Sequence, residues 1–451
     1  MNHHDRIIDN VLEAVGGTPL IRLHRMTEGS HAEILVKYEA MNPGGSAKDR
    51  AAKRMIRKAI ENGELKPGGT IIEATAGNTG VGLAQAAAMY GFRMIFVLPD
   101  KMSKEKVSLL KAYGAETVIT PTAVPPDSPE SYNGVAERLS HEIPGAFRPA
   151  QFDNLENTAA HFEETGPEIW QQTGGNLDVL VAGMGTGGTI SGTGGFLKKQ
   201  NPKIIVVGAD PEGSILSGDS PKSWKVEGIG EDFIPKNFNR QVVDEMIRVS
   251  DHDSFQYARR LAREEGILTG GSGGTALAAA FRYAKRITEP KRIVVILPDT
   301  GRNYLSKCYD DDWMKQHNFW DDETPPFRQI SNALTHQTLI MLSPEDNVET
   351  AFELMQQYGI SQIPVIENER SVGSVNETTL MWISFNHDVV KGLKIRDIMT
   401  KPFPELDLET DIDEAYRILF SGQSAILVTK EWKPLQLLTR FDLISFCESN
   451  L

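Results

Sequence analysis

One pattern restricts the fold more than any other. From about residue 17 to residue 310, short apolar runs alternate with alanine-rich or amphipathic segments. "TIIEATAG" precedes "NTGVGLAQAAAMYG", "RMIFVLPD" precedes "SKEKVSLLKAYG", and "KRIVVILPDTG" precedes "RNYLSKCYDDDW". A strand such as "IVVIL" has no polar side to turn to water, so both of its faces are covered. Such strands separated by helical segments predict an α/β fold of open, mostly parallel sheets with helices on both faces. "ETVIT", "DVLVAGM" and "KIIVVGADP" supply further strands.

At 451 residues the chain is too long for one core. Its character changes at "DDETPPFRQI", Asp321 to Ile330, where acidic residues and two prolines mark a boundary. Beyond it, "MLSPEDNVETAFELMQQYGISQIPVIENERSVGSVNETTL" overlays "ELDLETDIDEAYRILFSGQSAILVTKEWKPLQLLTRFDLI" at an offset of about 63 residues. Each copy reads as helix, strand, turn, strand and short helix, and such repeats pack together to bury a shared face. The predicted division is a first domain at 1–320, a linker at 321–332, and α+β repeats at 333–388 and 389–451.

The net charge of −14 argues against nucleic acid as a partner, because phosphate backbones select a basic face. Cys308 and Cys447 stand far apart with no CxxC spacing, which fits a reducing compartment and two small buried side chains. The start "MNHHDRIIDNVLEAVGG" lacks a basic segment followed by an apolar run, and no apolar run nears the ~20 residues of a membrane helix. The predicted location is the cytoplasm, with no membrane partner.

Four glycine-rich loops carry the chemistry. "GMGTGG", Gly183 to Gly188, follows a strand and opens a helix, and Asp210 ends the next strand. That is the dinucleotide fingerprint in its proper setting, and alone it supports a nicotinamide-dependent dehydrogenase. The same geometry serves any phosphate, since free N–H groups at a helix start point at an anion. Thr186 and Thr189 add hydroxyl donors suited to a phosphate monoester. "NPGGSAKDR" places Lys48 at a glycine turn before a helix, where a cation opposes the helix dipole. A solvated lysine needs no such setting. A lysine there can form an imine with pyridoxal phosphate, which brings both an aldehyde and a phosphate. In "GGSGGT", Ser272 alone reads as a helix cap. Joined to the other loops, it reads as a neutral partner for the pyridine nitrogen, which weakens the electron sink and favours β-elimination and replacement. In "EATAGNTG", helix-start N–H groups suit a substrate carboxylate and Asn78 suits the cofactor's phenolic oxygen. The plainer reading of Asn78 and Thr79 is as caps.

"NPGGSAKDR", "AGNTGVGLA", "GTGGTISG", "DPEGSIL", "VEGIGEDFIP", "GGSGGTA" and "VVILPDTGRNY" come in an order that resembles the cystathionine β-synthases, fold-type II pyridoxal phosphate enzymes related to O-acetylserine sulfhydrylase. The resemblance covers nearly the whole chain, and the repeats resemble the paired CBS domains of that family. It implies Lys48 as Schiff-base lysine and Cα-proton shuttle, and Asn78 at the ring hydroxyl. It implies Gly185, Thr186, Gly187, Gly188 and Thr189 at the phosphate and Ser272 at the pyridine nitrogen. Thr75, Ala76, Gly77 and Thr79, with Gln151, would hold the substrate carboxylate. The implied reaction is condensation of serine with homocysteine to cystathionine, a step of transsulfuration and cysteine biosynthesis.

The chain departs from animal members at Ala76, Phe152 and Glu231, each of which lacks a hydroxyl they carry. Hydroxide leaves only with proton donation, whereas acetate needs less help. O-acetylserine therefore stays open as donor and sulfide as acceptor, with hydrogen sulfide production and deamination as further outcomes. Glu231 is read as the partner of the incoming amino acid's amino group. No haem is expected, because no cysteine precedes Cys308, and His3 and His4 read as a tail. In the second repeat, Thr439 and Asp442 have the spacing that grips a ribose in CBS domains, so S-adenosylmethionine is a candidate regulator. Asn376 and Thr379 occupy the matching places in the first repeat, where the site looks degraded. The family also implies a homodimer or higher homo-oligomer. A non-catalytic nucleotide sensor explains none of the four loops.

Overall fold

The computed structural model describes residues 7–27, 30–75, 77–122, 124–125, 128–320, 339–385, 392–408, 410, 412–430 and 433–443. The chain divides into two units, Met1–Trp320 and Asp321–Leu451.

The first unit opens with β1 (Leu20–Arg22), β2 (Ala32–Tyr38) and α1 (Lys48–Glu61). One lobe then comprises β3 (Thr70–Glu73), α2 (Asn78–Tyr90), β4 (Arg93–Pro99), α3 (Lys104–Ala112), β5 (Glu116–Thr120), α4 (Tyr132–Glu142) and β6 (Ala146–Phe147). The chain returns through α5 (Glu156–Ala160), a π-helical turn at His161–Thr165 and α6 (Gly166–Gln172). The second lobe adds β7 (Val179–Gly183), α7 (Gly188–Gln200), β8 (Ile205–Pro211), β9 (Glu245–Val249), α8 (Asp251–Glu265), α9 (Gly271–Ala284), β10 (Lys291–Leu297) and α10 (Asp311–Gln316).

The two sheets run β5-β4-β3-β6, all parallel, and β1-β2-β10-β7-β8-β9, parallel except for β1. Val181 lies opposite Val295 on one side and Val207 on the other. Strand alternation explains the unbroken apolar runs. Ile293, Val295 and Leu297 pack with Ala276 to Ala280 of α9, while Val294 and Ile296 pack with Ile190 and Leu197 of α7. Each buried branched side chain contributes about 1.5–3 kcal/mol, and alanine lets α9 lie close to the sheet. In such sheets ligands bind beyond the carboxyl ends of the strands. The loops after β3, β7, β8 and β10 leave from those ends.

A buried ionic cluster fixes the start of α1. Arg50 donates from Nε and Nη2 to Glu39 at 2.7 and 2.9 Å, and from Nη1 and Nη2 to Glu168 at 2.7 and 2.8 Å. Lys37 Nζ donates to the same Glu168 at 2.7 Å and to Thr18 O at 2.7 Å. Arg50, Lys37 and Glu39 are 0% exposed, so these contacts replace hydration entirely.

In the second unit, α11 (Val348–Tyr358), β11 (Gln362–Glu367), β12 (Arg370–Asn376) and α12 (Glu377–Phe385) form one copy. After α13 (Ile395–Ile398), the other copy is β13 (Glu405–Asp407), α14 (Ile412–Phe420), β14 (Ala425–Lys430) and β15 (Lys433–Thr439). The two antiparallel hairpins share a register shift, at Val365/Ile366 and at Val428/Thr429, positions 63 residues apart. The repeat legible in the sequence therefore extends to its irregularity.

Candidate active site

Lys48 is the first residue of α1. The turn before it is zipped to the segment after β10: Ala47 N donates to Pro298 O at 2.8 Å and Thr300 N to Gly45 O at 3.0 Å. Asp49 accepts from Gly44 N at 2.5 Å and closes the turn. Lys48 Nζ has no hydrogen-bond partner among the described residues. Burial lowers its pKa, partly offset by Glu231 and Asp299. The amine therefore gives up its proton more readily than a surface lysine does.

Lys48 lines a cleft with Asn78, Gly183, Gly185, Thr186, Gly187, Thr189, Ser272 and Asp299. Gly187 has φ +82°, and a β-carbon there would lie 2.5 Å from Phe238 Cα. Gly188 opens α7, and its β-carbon would lie 2.3 Å from Asn157 Oδ1. Only glycine fits here against Phe238 and Asn157, and the N–H groups at the start of α7 suit an anion. Two residues that the motif reading missed hold the hydroxyls. Asn157 Nδ2 donates to Thr186 Oγ1 at 3.1 Å, and His161 Nε2 lies 3.1 Å from Thr189 Oγ1. Burial, with Arg50 and Lys48 nearby, pushes the His161 pKa down to about 3, so its imidazole stays neutral.

We expect Gly187→Ala to weaken pyridoxal phosphate binding by about tenfold or more, since a strained left-handed residue costs about 1–3 kcal/mol. Equilibrium titration of the apoprotein measures this. Unchanged affinity would contradict the assigned cradle.

Ser272 sits one residue inside α9, whose N-cap is Gly270, so its side chain makes no cap bond. Asn78 likewise starts α2 without capping it; its Nδ2 donates to Asp299 Oδ2 at 2.7 Å. Thr79 Oγ1 donates to Gln151 Oε1 at 2.6 Å, which joins the two predicted halves of the carboxylate subsite. Thr75 Oγ1 accepts from Gly77 N at 3.4 Å. Glu231 is tied through its backbone to Ser214, 3.1 Å from N to Oγ. Burial pushes its carboxyl up to about 7, against the pull of Lys48. Phe152 packs edge-to-face on Phe233 with centroids 5.3 Å apart. Ala76, His3, His4, Cys447 and the 321–332 segment lie outside the described residues.

Asp210 corrects the dinucleotide reading. It is fully buried, and its Oδ2 accepts from Ser217 N at 3.0 Å inside its own loop. In the repeats, Thr439 N and Oγ1 both donate to Asp442 Oδ2, at 2.7 and 2.6 Å. Thr379 N and Oγ1 donate to Asn376 Oδ1 at 2.9 and 3.0 Å, so the roles along the chain are reversed.

The donor set fits pyridoxal phosphate: an uncommitted, half-buried amine for the aldehyde, a glycine cradle with two hydroxyls for the phosphate, and a neutral hydroxyl for the ring nitrogen. Fold and site together define a pyridoxal-phosphate enzyme of the open α/β type. The pyridoxal-phosphate dependent enzyme family model matches residues 11–299, and the CBS domain model matches 330–384 and 395–449. Cystathionine β-synthase of Apis mellifera is 50% identical over 471 residues, covering 99% of this chain and 92% of that protein. That of Dictyostelium discoideum is 38% identical over 460 residues, covering 98% and 92%. The structure of O-acetyl serine sulfhydrylase isoform 3 from Entamoeba histolytica is similar with a TM-score of 0.66 at 39% identity, covering 71% of this chain and 94% of that one. The chain belongs to the cystathionine β-synthase family.

Proposed function

We propose that the chain condenses L-serine with L-homocysteine to L-cystathionine by β-replacement. The observation that carries this is the meeting, in one cleft, of the Lys48 amine with a phosphate cradle and the neutral Ser272. Pyridoxal phosphate supplies the electron sink that lets the Cα proton and β-substituent of an amino acid depart. Lys48 Nζ accepts that proton and returns it, a role its lowered pKa supports. Thr75, Ala76, Gly77 and Thr79 with Gln151 hold the substrate carboxylate. The Thr79–Gln151 bond ties that loop to the segment after β6 and limits its freedom.

A second reading uses O-acetylserine as donor and sulfide as acceptor. Phe152 favours it, because it brings no hydroxyl to assist departure of hydroxide. The structural likeness to an O-acetyl serine sulfhydrylase supports the same reading. A matrix of serine or O-acetylserine against homocysteine or sulfide, with and without S-adenosylmethionine, decides between them. Turnover of serine with homocysteine is the expected result. Turnover confined to O-acetylserine and sulfide would replace it.

Glu231 is assigned to the amino group of the incoming thiol amino acid. Glu231→Ala should raise KM for homocysteine by about tenfold or more, the weight of a charged hydrogen bond, and leave KM for sulfide unchanged. Its carboxyl, pushed up to about 7, is ionised above that pH and neutral below. The homocysteine KM should therefore rise as pH falls through about 7. An equal loss for both acceptors in steady-state kinetics would contradict the assignment.

Residues 321–332 are placed as the linker, with the repeats at 333–388 and 389–451. Thr439 and Asp442 are the assigned contacts for the ribose of S-adenosylmethionine, in competition with their mutual bond. The protein is placed in the cytoplasm as a homodimer or higher homo-oligomer. Among the described residues no helix is long and apolar enough to cross a membrane.

A further inference from the structure

Asp299 lies two residues past the end of β10, is 2% exposed and lines the cleft. Its Oδ2 accepts from Asn78 Nδ2 and from the Tyr304 hydroxyl, each at 2.7 Å. Its Oδ1 is buried against the backbone of Gly270. It is wedged at Gly270, where a β-carbon would lie 2.4 Å away. The backbone bonds from Ala47 to Pro298 and from Thr300 to Gly45 hold Asp299 on both sides. Burying an acidic group this deeply costs stability unless its partners need it.

Asn78 is the partner whose chemistry depends on it. Burial pushes the Asp299 pKa up while the Tyr304 and Asn78 donors favour its ionised form; ionised, it only accepts, so it selects the amine end of an amide that is otherwise free to flip. One N–H of Asn78 is committed to Asp299, and its Oδ1 faces Asn303 Nδ2 at 3.5 Å. The Asn78 side chain also interacts with the Tyr304 hydroxyl, and it lines the cleft. A flipped amide would set Oδ1 against the carboxylate and present no donor. The bond also joins the lobes, since Asn78 starts α2 beside β3 and Asp299 ends the path of β10.

We propose that Asp299 is a positioning residue that locks the Asn78 amide with its nitrogen available to the phenolic oxygen of pyridoxal phosphate. The proposal rests on the reading of Asn78 as that oxygen's partner. The phenolic oxygen, when ionised, is acceptor-only, and a donor beside it favours the ionised form.

Asp299→Asn is the same size but both donates and accepts, so it no longer dictates the amide. Holoenzyme of the parent, Asp299→Asn, Asn78→Ala and the double variant is titrated with pH while the visible spectrum of bound cofactor is followed. Pyridoxal phosphate affinity is measured in parallel. Asp299→Asn should move the spectral titration upward by about one pH unit and weaken binding about tenfold. In the Asn78→Ala background it should add nothing to either readout. Tyr304→Phe, which removes the other bond to the same oxygen, should move the titration in the same direction by less. Additive effects in the double variant overturn the proposal, as does lost thermal stability with an unmoved titration. A parent that binds no pyridoxal phosphate overturns this assignment together with the reading of the site. A parent that binds it while Asp299→Asn and Tyr304→Phe titrate as it does overturns the Asp299 assignment alone.

Discussion

Replacing Lys48 by arginine should lower kcat by about 10³-fold, within the range that positioned acid–base groups contribute. Arginine keeps the charge and most of the bulk at the head of α1, so the turn from Asn42 to Ala47 has no reason to rearrange. A guanidinium is not deprotonated in proteins, however, and cannot accept a proton from Cα. Lys48 can, because burial lowers its pKa and Glu231 and Asp299 only partly restore it. Lys48→Ala removes the amine altogether and should lose at least as much. Alanine should also change the cofactor's absorption, while the phosphate cradle at Gly185 to Thr189 stays intact. Steady-state kinetics and the spectrum of each variant measure this. A variant at position 48 that turns over within about tenfold of the parent would remove the lysine from the mechanism.

Arg50→Met should destabilise the fold by about 3–5 kcal/mol, the usual loss when one member of a buried ionic group is removed. The guanidinium satisfies two carboxylates at once, Glu39 and Glu168. Without it, Lys37 alone faces both. Arg50→Lys should lose less, though not little, because a single ammonium cannot form two bidentate pairs. The cluster also predicts the acid response. Arg50 and Lys37 hold the Glu39 carboxyl at about 2, below its ordinary 4.5, despite the opposing effect of burial. A group depressed in the folded state stabilises fully above its unfolded pKa, and that share is lost as pH falls from about 4.5 towards 2. Denaturant titration at neutral and acidic pH reads both effects. An Arg50→Met protein within about 0.5 kcal/mol of the parent would contradict the account of the cluster.

What the sequence revealed of this fold follows from local physics. The apolar run of β10 reads as a strand covered on both faces because no alternation offers water a side, and its residues divide between two cores. The glycine loops were legible because close backbone packing needs glycine, as for Gly187 against Phe238 and Gly188 against Asn157. Asp299, Asn157 and His161 were not legible, because each acts through a partner brought close only by the fold. Asn78 and Asp299 are 221 residues apart in the chain. Asp210 shows the converse. It satisfied a fingerprint by spacing, yet its carboxylate serves its own loop. The caps considered for Asn78 and Ser272 fell to Gly77 and Gly270 instead, so neither side chain is committed to its own helix. The buried pairing of Arg50 left no periodic mark, since charged residues early in a helix ordinarily read as solvated.

Borohydride reduction of the holoenzyme followed by peptide mapping tests the central claim most directly. A stable pyridoxyl adduct on the peptide containing Lys48, and loss of that adduct in Lys48→Ala, is the predicted result. An adduct on another lysine, or a purified protein that carries and takes up no pyridoxal phosphate, would contradict it.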